Sequence, residues 1–581
     1  MDSLLIAKTR MMKINKIVIL LLFMLTVQNV FAQVSSAFYE GERITNVIYV
    51  FKNKLTDSIA QKNLEQEVKR AFPIFPQTTV RNLLLDGYTN KVYKLEQVSE
   101  AQYEVLPSQL GGINITLTVV ISEKAKGKKE KSGALIGEKD FPILYQDNKS
   151  LLTTKFAMAQ MLYSNNNSWY AREDAMLNGN PLAQNPAGEG YTGWIEGWVS
   201  GGLYGITTLS TKRSVYLYGG ASYIMSASAG RELFTDESRA YGAFDDAFLG
   251  FVGTTSYPSG NRFTYNLSMG RQQFSVGKGF IIRNTAANGD NRGALQLNPR
   301  WAADYLGLAS IRYNNFLLQV FQLDPDELDI VDSKTVIRGF NAELGDGYSN
   351  QIGFMMLGVP QSSFKYYTPS GEVLGREGLQ LFNLRYYTNK PPDVPGLFYK
   401  GEIAYERNSN FDMKSFAGYS EIGWSFAKSK GAPALRYRYA FFSGDDPDTE
   451  TYERWDPLLT GGNGEEWVIG ANHFKVVQNS NMNVHQLQAN IRPWQRIELV
   501  PQAMYMYAVA NNNIGGNPAL GYLPKKEYGS EFNITVKYFR SRHWYWHGHL
   551  AYTIPGLGVK EALSNTTKPW FSAMLFFRYA L

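Results

Sequence analysis

From about residue 150 to its end, the chain contains short segments in which apolar and polar residues alternate one by one. In residues 397–406, Leu397 and Ile403 share one face, whereas Lys400 and Glu402 share the other. A period of two predicts β-strands with two chemically different faces. Clusters of Gly, Asn, Asp and Pro separate the segments and predict turns. We therefore expect a protein built mainly from antiparallel strands.

Aromatic residues dominate the apolar faces of these strands, and charged residues occupy the opposite faces. In residues 435–442, Arg436 and Arg438 oppose a row of Leu, Tyr and Phe side chains. Arg385 and Lys537 oppose similar apolar rows in their own segments. In a soluble sandwich, two sheets share one core and the outer faces are polar. Apolar, aromatic-rich faces opposite charged faces are instead typical of a transmembrane barrel, with lipid outside and water inside.

The length of the repetitive region sets the size of this barrel. At roughly 20–24 residues for a strand and its loop, residues 191–581 supply about 16–18 strands and leave a water-filled lumen. The last strand continues to Leu581, as outer-membrane barrels typically end. We predict an all-β transmembrane barrel of about 16–18 antiparallel strands over residues 151–581.

The first 32 residues have the features of a secretory signal peptide. Lys13 and Lys16 precede an apolar run at residues 17–27, and Ala32 completes a small-residue cleavage site. The run is too short for a typical membrane-spanning helix. An exported chain with a barrel pattern predicts the outer membrane of a Gram-negative cell, with outer-membrane lipid around the barrel.

Residues 35–122 combine helical and strand patterns. Residues 44–51 are strand-like, two amphipathic stretches follow, and residues 113–121 alternate cleanly. We also expect residues 91–98 to pair with residues 102–106 as strands. The order β-α-α-β-β resembles a polypeptide-transport-associated (POTRA) domain, the periplasmic module that precedes some outer-membrane barrels. The resemblance implies a periplasmic location and a periplasmic protein partner, and a generic α+β domain is the alternative.

A basic linker at residues 123–150 joins this unit to the barrel. Five lysines lie between Lys124 and Lys131 among Gly, Ala, Glu and Ser. Such a run is usually solvated. An attraction to anionic lipid or polymer is the alternative interpretation.

Two stretches of the barrel region resemble a known family. In RFTYNLSMGRQQFSVGKGFII (residues 262–282), a strand ends in Gly-Arg-Gln and a Gly-Lys-Gly turn follows. In YRYAFFSGDDPDTETYERWDPL (residues 437–458), a Ser-Gly-Asp-Asp segment precedes Asp-Pro-Leu. Both resemble segments of the alginate-export family of outer-membrane porins, as do residues 179–183 and 323–328. The resemblance covers roughly residues 190–581, and the POTRA-like unit lies outside that family's usual plan.

The resemblance implies a barrel of about 18 strands that passes an anionic polysaccharide through a constriction lined by Arg and Lys. Strict alternation places Arg385, Arg436, Arg438 and Lys537 on the lumen face. Arg271 is the fifth pore-lining candidate, although its register points toward lipid unless a bulge at Gly270 reorients it or the strand ends there. Cations in a narrow pore lower the barrier for carboxylates, and Arg can hold a carboxylate with two hydrogen bonds.

Composition removes several other classes of protein. The 581 residues include no Cys, which excludes disulfide scaffolds, zinc ribbons and thiol nucleophiles. The net charge of +6 is too small to indicate nucleic-acid binding. No Gly-x-Ser-x-Gly, phosphate-binding loop or His-Glu-x-x-His motif occurs, so we expect neither an enzyme nor a cofactor. The histidines between His543 and His549 and the acidic loop after Gly444 are weak metal candidates, and we expect no metal site.

We therefore predict a channel for anionic polysaccharide or small anionic solutes. The alternative function is a POTRA-dependent protein translocator or insertase-like barrel. Residues 337–340 (Ile-Arg-Gly-Phe) resemble a loop motif of the insertase and two-partner-secretion family, which also carries POTRA domains. The motif lies farther from the C-terminus than it does in that family.

Overall fold

The computed structural model describes most of the chain. The described residues are 42–76, 78, 80, 82–107, 113–122, 142–147, 149–177, 184–210, 214–257, 261–283, 285–286, 292–345, 350–388, 395–427, 429–461, 470–494, 496–516, 522–540 and 543–581. The predicted signal peptide, residues 123–141 of the predicted linker and the family-like stretch at residues 179–183 lie outside them.

Within the described residues, eighteen long antiparallel strands form one closed barrel. They are β5 (Ser150–Asn166), β6 (Tyr191–Ser210), β7 (Val215–Gly230), β8 (Arg239–Ser256), β9 (Arg262–Arg271), β10 (Tyr305–Tyr313), β11 (Phe316–Asp324), β12 (Val336–Gly345), β13 (Asn350–Gln361), β16 (Leu379–Thr388), β17 (Gly396–Asn408), β18 (Ser415–Ser425), β19 (Ala434–Phe442), β20 (Met482–Trp494), β21 (Ile497–Tyr507), β22 (Glu527–Phe539), β23 (Trp544–Pro555) and β24 (Trp570–Ala580). Pairing of β24 with β5 closes the ring. The predicted fold class and the upper value of the predicted strand number are confirmed.

Two smaller sets of strands accompany the barrel. The short strand β4 (Ile143–Gln146) pairs with β5 beside the point of closure. The hairpin of β14 (Lys365–Tyr367) and β15 (Val373–Gly375) stands in the connection between β13 and β16.

The two faces of the barrel wall differ as the alternation predicts. Leu384 and Ile403 point outward with exposed fractions of 46% and 63%, whereas the intervening charged side chains are buried. Closure satisfies the backbone hydrogen bonds of every strand, which a hydrocarbon environment requires. The apolar exterior therefore faces lipid and the polar side chains face the lumen. The helices of the described chain include none that is long and apolar enough to cross a membrane.

The two ends of the barrel have different connections. One end carries turns of a few residues, such as Asn314 and Asn315 between β10 and β11. The other end carries longer connections, the longest of which are residues 272–304 and 443–481. We call these the short-turn end and the long-loop end. Residues 150 and 580, at the first and last strand ends, lie at or near the short-turn end.

The two longest loops fold into the barrel. Ile282 pairs with Leu459, which joins the loops to each other. The Phe280 ring lies 5.5 Å from the Tyr419 ring of β18, far around the wall from β9 where the first loop starts. Phe280 also stacks on Trp455 of the second loop at 6.2 Å. The loops therefore form an apolar partition inside the lumen.

A small N-terminal domain, residues 42–122, precedes the barrel. Its elements are β1 (Ile44–Lys52), α1 (Ser58–Ala71), α2 (Asn82–Tyr93), β2 (Val98–Pro107) and β3 (Ile113–Ile121). The central strand β3 is parallel to β1 and antiparallel to β2. Asp57 caps α1 by accepting hydrogen bonds from the next turn.

The predicted pairing of residues 91–98 with residues 102–106 is wrong. Residues 91–93 end helix α2, and β2 pairs with β3 instead. The side chain of Val92 is buried in the domain core, seven residues after buried Leu85. A spacing of seven fits one face of a helix. Residues 91–93 alone are too short a stretch for alternation to distinguish a strand from the end of a helix.

The N-terminal domain sits in the short-turn end of the barrel. Its Lys91 side chain lies 3.2 Å from the hydroxyl of Tyr216 on β7. The guanidinium of Arg262 on β9 lies 4.4 Å from the centre of the Phe75 ring. Phe539 of β22 packs against the domain core from another side of the ring. Contacts distributed around the circumference place the domain across the opening.

Other parts of the chain narrow the lumen of the barrel. The inward-folded loops enter it from one end, and the N-terminal domain lies across the other. Arg385, Lys400, Arg436, Arg438 and Lys537 keep side-chain exposures between 0% and 8%. An eighteen-strand ring is too wide for its own side chains to fill, so other segments occupy the space.

We predict that Ile403→Arg lowers the free energy of unfolding in lipid vesicles by about 2–4 kcal/mol, because it places a charge near the middle of the lipid-facing surface. Denaturant titration of the refolded protein measures the change. The control is Ile59→Arg on α1, where the native side chain is 71% exposed outside the barrel, and we expect a change within about 0.5 kcal/mol. Equal effects of the two substitutions would contradict a lipid-facing Ile403.

Candidate functional site

A cluster of three cations around one carboxylate lies on the lumen wall. Glu421 of β18 stands between Lys400 of β17 and Arg438 of β19, which are its direct partners in the two strand pairings. Its carboxylate lies 3.2 Å from Lys400 Nζ, 2.6 Å from Arg438 Nη2 and 3.5 Å from Arg436 Nη1. We call these four residues the Glu421 cluster. These four side chains alone sum to a formal charge of +2, three cations and one anion.

Lys400 and Glu421 were not among the predicted site residues. The alternation of residues 397–406 already placed Lys400 on the polar face. The pairing of β17 with β18 was needed to bring it to Glu421. Glu421 itself alternates with Ile422 and Trp424 and was detectable by the same pattern.

A second ion-paired group joins the wall to the N-terminal domain. Arg385 of β16 lies 2.8 Å from Glu343 of β12, and it donates to Asn383 at 3.0 Å. Arg43, just before β1, contacts the same Glu343 carboxylate, with Nη1 at 3.1 Å. Glu42 pairs with Arg283 of the inward-folded loop, with Arg283 Nη1 at 3.1 Å. Two consecutive domain residues thus reach charged partners inside the barrel.

Lys537 also faces the lumen and has a carboxylate partner. Its Nζ lies 3.4 Å from Glu498 of β21, and the Arg492 Nε lies 2.7 Å from the same side chain. Four predicted candidates, which are Arg385, Arg436, Arg438 and Lys537, therefore point inward and are paired. Their role as pore-lining residues stays a prediction.

Arg271 lies apart from the other candidates. It ends β9, directly after Gly270, whose φ of +117° is a left-handed conformation that favours glycine. Its guanidinium contacts Asp304 and lies 3.1 Å from Asp326. Arg292 lies 3.1 Å from the same Asp326 carboxylate. The residue therefore belongs to an ion-paired group at the long-loop end of the wall.

A segment of the second long loop docks on the opposite side of the lumen. The Glu531 carboxylate of β22 accepts hydrogen bonds from the backbone N–H groups of Asn472 and His473 at 3.1 and 2.9 Å. These amides belong to the N-cap residue and the first residue of the short helix α3 (His473–Val476). Lys475 of this helix donates to the hydroxyl of Tyr163 on β5. The Glu531 carboxylate thus fixes the start of the helix, and the Lys475 side chain joins its remainder to β5.

Among the described residues, no group of three or more His, Asp or Glu side chains is arranged to hold a metal ion.

The stretch that resembles the insertase loop motif, residues 337–340, forms part of strand β12 rather than a loop. Arg338 points outward and donates to Gln322 on the neighbouring strand at 2.8 Å. The resemblance to the insertase loop motif therefore does not extend to its structural setting.

Comparisons with known proteins give the following similarities. No protein-family model matches the sequence. No curated protein matches it either. The outer membrane protein OpdK from Pseudomonas aeruginosa is 9% identical, with a TM-score of 0.44 over 74% of this chain and 98% of that chain. A BenF-like porin from Pseudomonas fluorescens Pf-5 is 10% identical, with a TM-score of 0.43 over the same shares. OccK5 (OpdH) from Pseudomonas aeruginosa is 9% identical, with a TM-score of 0.42 over 74% and 98%.

The class of the protein follows from its own strand pairing. Eighteen strands close into a ring, the exterior is apolar and the interior carries charges. This combination defines a membrane barrel of the porin class. Its distinguishing features are the N-terminal domain in the short-turn end and the two loops folded into the lumen.

We predict that Glu421→Gln lowers the free energy of unfolding by about 3–5 kcal/mol, because it leaves three nearly buried cations without their shared anion. Denaturant titration in lipid vesicles measures the loss. Glu450→Gln in the exposed acidic loop is the matched control, and we expect a change within about 0.5 kcal/mol. The double variant Glu421→Gln/Arg438→Gln should recover part of the loss. No recovery would contradict the electrostatic origin.

We predict that the loop segment around α3 docks more firmly as the pH rises from about 7 to about 10. Burial lowers the pKa of Lys475 from 10.5 to about 7, while the carboxylates of Glu531 and Glu196 act in the opposite direction. In the released segment Lys475 returns to its ordinary pKa, so the released state binds more protons in this range. Raising the pH therefore favours docking. Below about pH 7, Lys475 is protonated in both states, so the free energy of docking no longer changes with pH.

Hydrogen-exchange protection factors of the Asn472 and His473 amides measure this docking. Lys475→Met should remove the rise in protection between pH 7 and 10. The same rise in the variant would assign the effect to another group.

Proposed function

We propose that the protein is a channel of the Gram-negative outer membrane that passes anionic polysaccharide or small anionic solutes. The N-terminal domain lies in the periplasm in this proposal, since the short-turn end of such barrels faces that side. The observation that carries the proposal is the Glu421 cluster, which places Lys400, Arg436 and Arg438 together around Glu421 on the lumen wall.

The physical basis is the behaviour of charge in a narrow interior. Cations on a wall that excludes most water attract anions more strongly than they do in bulk water. Arg436 and Arg438 present planar donor groups that match a carboxylate. A passing carboxylate can therefore exchange with Glu421 at these groups without leaving the cations unpaired. The wall carries further cationic side chains at other positions along and around the barrel, namely Arg385, Lys537 and Arg271.

The inward-folded loops and the N-terminal domain add a condition to this proposal. Conduction is greatest when the N-terminal domain leaves the short-turn end or the loops move from the centre of the barrel. Among the described residues, the contacts between the domain and the barrel include ion pairs, a hydrogen bond, two cation–π contacts and apolar packing, which are separable interactions. The resemblance to the alginate-export porins supports the choice of anionic polysaccharide as one solute class.

We predict that the purified protein, without residues 35–122, conducts in a planar bilayer and prefers anions. The reversal potential under a KCl gradient measures the preference. The full-length protein should show the same sign with a smaller or intermittent conductance, because the domain covers one end. Arg436→Gln/Arg438→Gln should reduce the preference, whereas Arg407→Gln, on the outer face, should leave it unchanged.

A preference for cations would overturn the proposed solute class. A POTRA-dependent protein translocator is the alternative outcome. In that case removal of residues 35–122 abolishes the function, and the shortened barrel supports no transport of a protein client.

A further inference from the structure

A row of polar residues crosses the outer face of five neighbouring wall strands, β11, β12, β13, β16 and β17. Successive strand pairings join its members, which are Gln322, Arg338, Gly358, Gln380 and Arg407. Each member has a neighbour in its own strand that is buried, so alternation points the row outward. Arg338 is the third residue of β12 and Arg407 the last but one of β17, which places both near the long-loop end. We call these five residues the arginine row.

The two arginines of the row are held in the same way. Arg338 donates through Nε to Gln322 Oε1 at 2.8 Å, and Arg407 donates through Nε to Gln380 Oε1 at 2.9 Å. Both side chains are exposed. Among the described residues, their terminal Nη1 and Nη2 atoms have no hydrogen-bond partner, and no carboxylate lies within ion-pair distance of them. Two cations therefore offer unused donors on a surface that faces lipid, which favours an anionic head group there.

An apolar row lies next to the arginine row, toward the middle of the same strands. Its members are Phe340, Met356, Phe382 and Tyr405, and the same strand pairings join them. All four side chains are partly exposed on the outer face. A cationic row beside an aromatic and apolar row matches the two halves of a lipid molecule. The head group meets the arginines, and the acyl chains lie against the apolar row.

The spacing of the arginines restricts the head group. Three strand-to-strand steps of about 4.8 Å separate their backbones, roughly 14 Å in all, so a single anionic group does not contact both. Gly358 lies between them. A side chain at this position would find open space, since Leu379 O at 3.7 Å is the one neighbouring atom within 4 Å. The middle of the row therefore leaves room for a sugar-sized body with an anionic group at each end.

Phosphate is the anionic group that fits these donors best. A phosphate monoester carries more negative charge than a carboxylate at neutral pH and has three acceptor oxygens. Arginine binds it through two parallel hydrogen bonds, for which the Nη1 and Nη2 atoms of both arginines are available.

We propose that the arginine row binds a lipid whose disaccharide head group carries a phosphate at each end, with one phosphate at Arg338 and the other at Arg407. The proposed function places the long-loop end on the outer side, so the bound lipid belongs to the outer leaflet. The inference takes only this orientation from the proposed function and goes beyond it, because the site lies outside the lumen.

Titration of the full-length protein in a neutral detergent with diphosphoryl lipid A, followed by native mass spectrometry, tests the site. Monophosphoryl lipid A has the same sugars and acyl chains but lacks one phosphate. We expect the diphosphoryl lipid to bind about fivefold more tightly, because the other lipid leaves one guanidinium without a phosphate. Equal binding of the two lipids would overturn the proposed head group.

Variants locate the binding. Arg338→Gln and, separately, Arg407→Gln should each abolish the preference for the diphosphoryl lipid, since its second phosphate then has no partner. Lys414→Gln is the matched control, because this exposed lysine of the same end already pairs with Asp412 at 3.3 Å, and the preference should persist. Persistence in both arginine variants, or its loss in the control, would refute the assignment.

The gap at Gly358 has its own variant. Gly358→Leu fills the space without a change of charge and should weaken both lipids about fivefold, because the sugars no longer lie against the wall. Unchanged affinity would show that the head group does not cross the centre of the row.

The outcome is separable from that of the proposed function. The reversal potential in a phosphatidylcholine bilayer measures anion preference without this lipid. If anions are preferred while lipid binding is indifferent to the arginine row, only this inference fails. If lipid binding follows the row while the barrel prefers cations, only the proposed solute class fails.

Discussion

The structure depends on one constraint, which is that every backbone N–H and C=O group in the hydrocarbon region needs a partner within the protein. A sheet meets this demand only when it closes, because an open edge would leave a row of unpaired groups in lipid. The pairing of β24 with β5 completes the ring of eighteen strands. The alternation of side chains then assigns one face to lipid and the other to the interior. The number of strands in the closed ring thus sets the diameter of the interior, whichever side chains line it.

A ring of this size creates a space that its own side chains do not fill. The protein occupies it with two loops from one end and a folded domain at the other. Aromatic residues such as Phe280 and Trp455 give the loops an apolar contact in the centre. Charged residues of the wall meet these segments through ion pairs, such as that of Glu343 with Arg43, in which Arg385 also takes part. Burial makes such pairs depend on one another, since removal of one member leaves a charge without compensation.

The function that we propose uses the same interactions that hold the interior together. In the Glu421 cluster, one carboxylate of the protein occupies the position that a solute carboxylate would take. An anion therefore competes with the protein's own acidic group at these cations, and in our proposal its passage follows from that competition.

Much of the wall was predictable from the sequence. A period of two at Leu435, Arg436, Tyr437 and Arg438 needs no knowledge of neighbours, because adjacent residues of a strand always point to opposite faces. The strand number followed from length, and the order of elements in the N-terminal domain followed from local patterns. Local patterns failed at residues 91–93, where a short alternating stretch belongs to a helix.

The sequence by itself determined which side chains face lipid, which face the interior, and that the strands form a large barrel. Only the tertiary structure decided the partners of the inward-facing charges, because ion pairs such as Lys400 with Glu421 join different strands. It also decided that residues 42–43 reach Arg283 and Glu343, at positions hundreds of residues away. Alternation records the face of a residue but holds no information on contacts between distant segments. The packing of the inward-folded loops and of the N-terminal domain against the barrel wall is a property of the assembled chain.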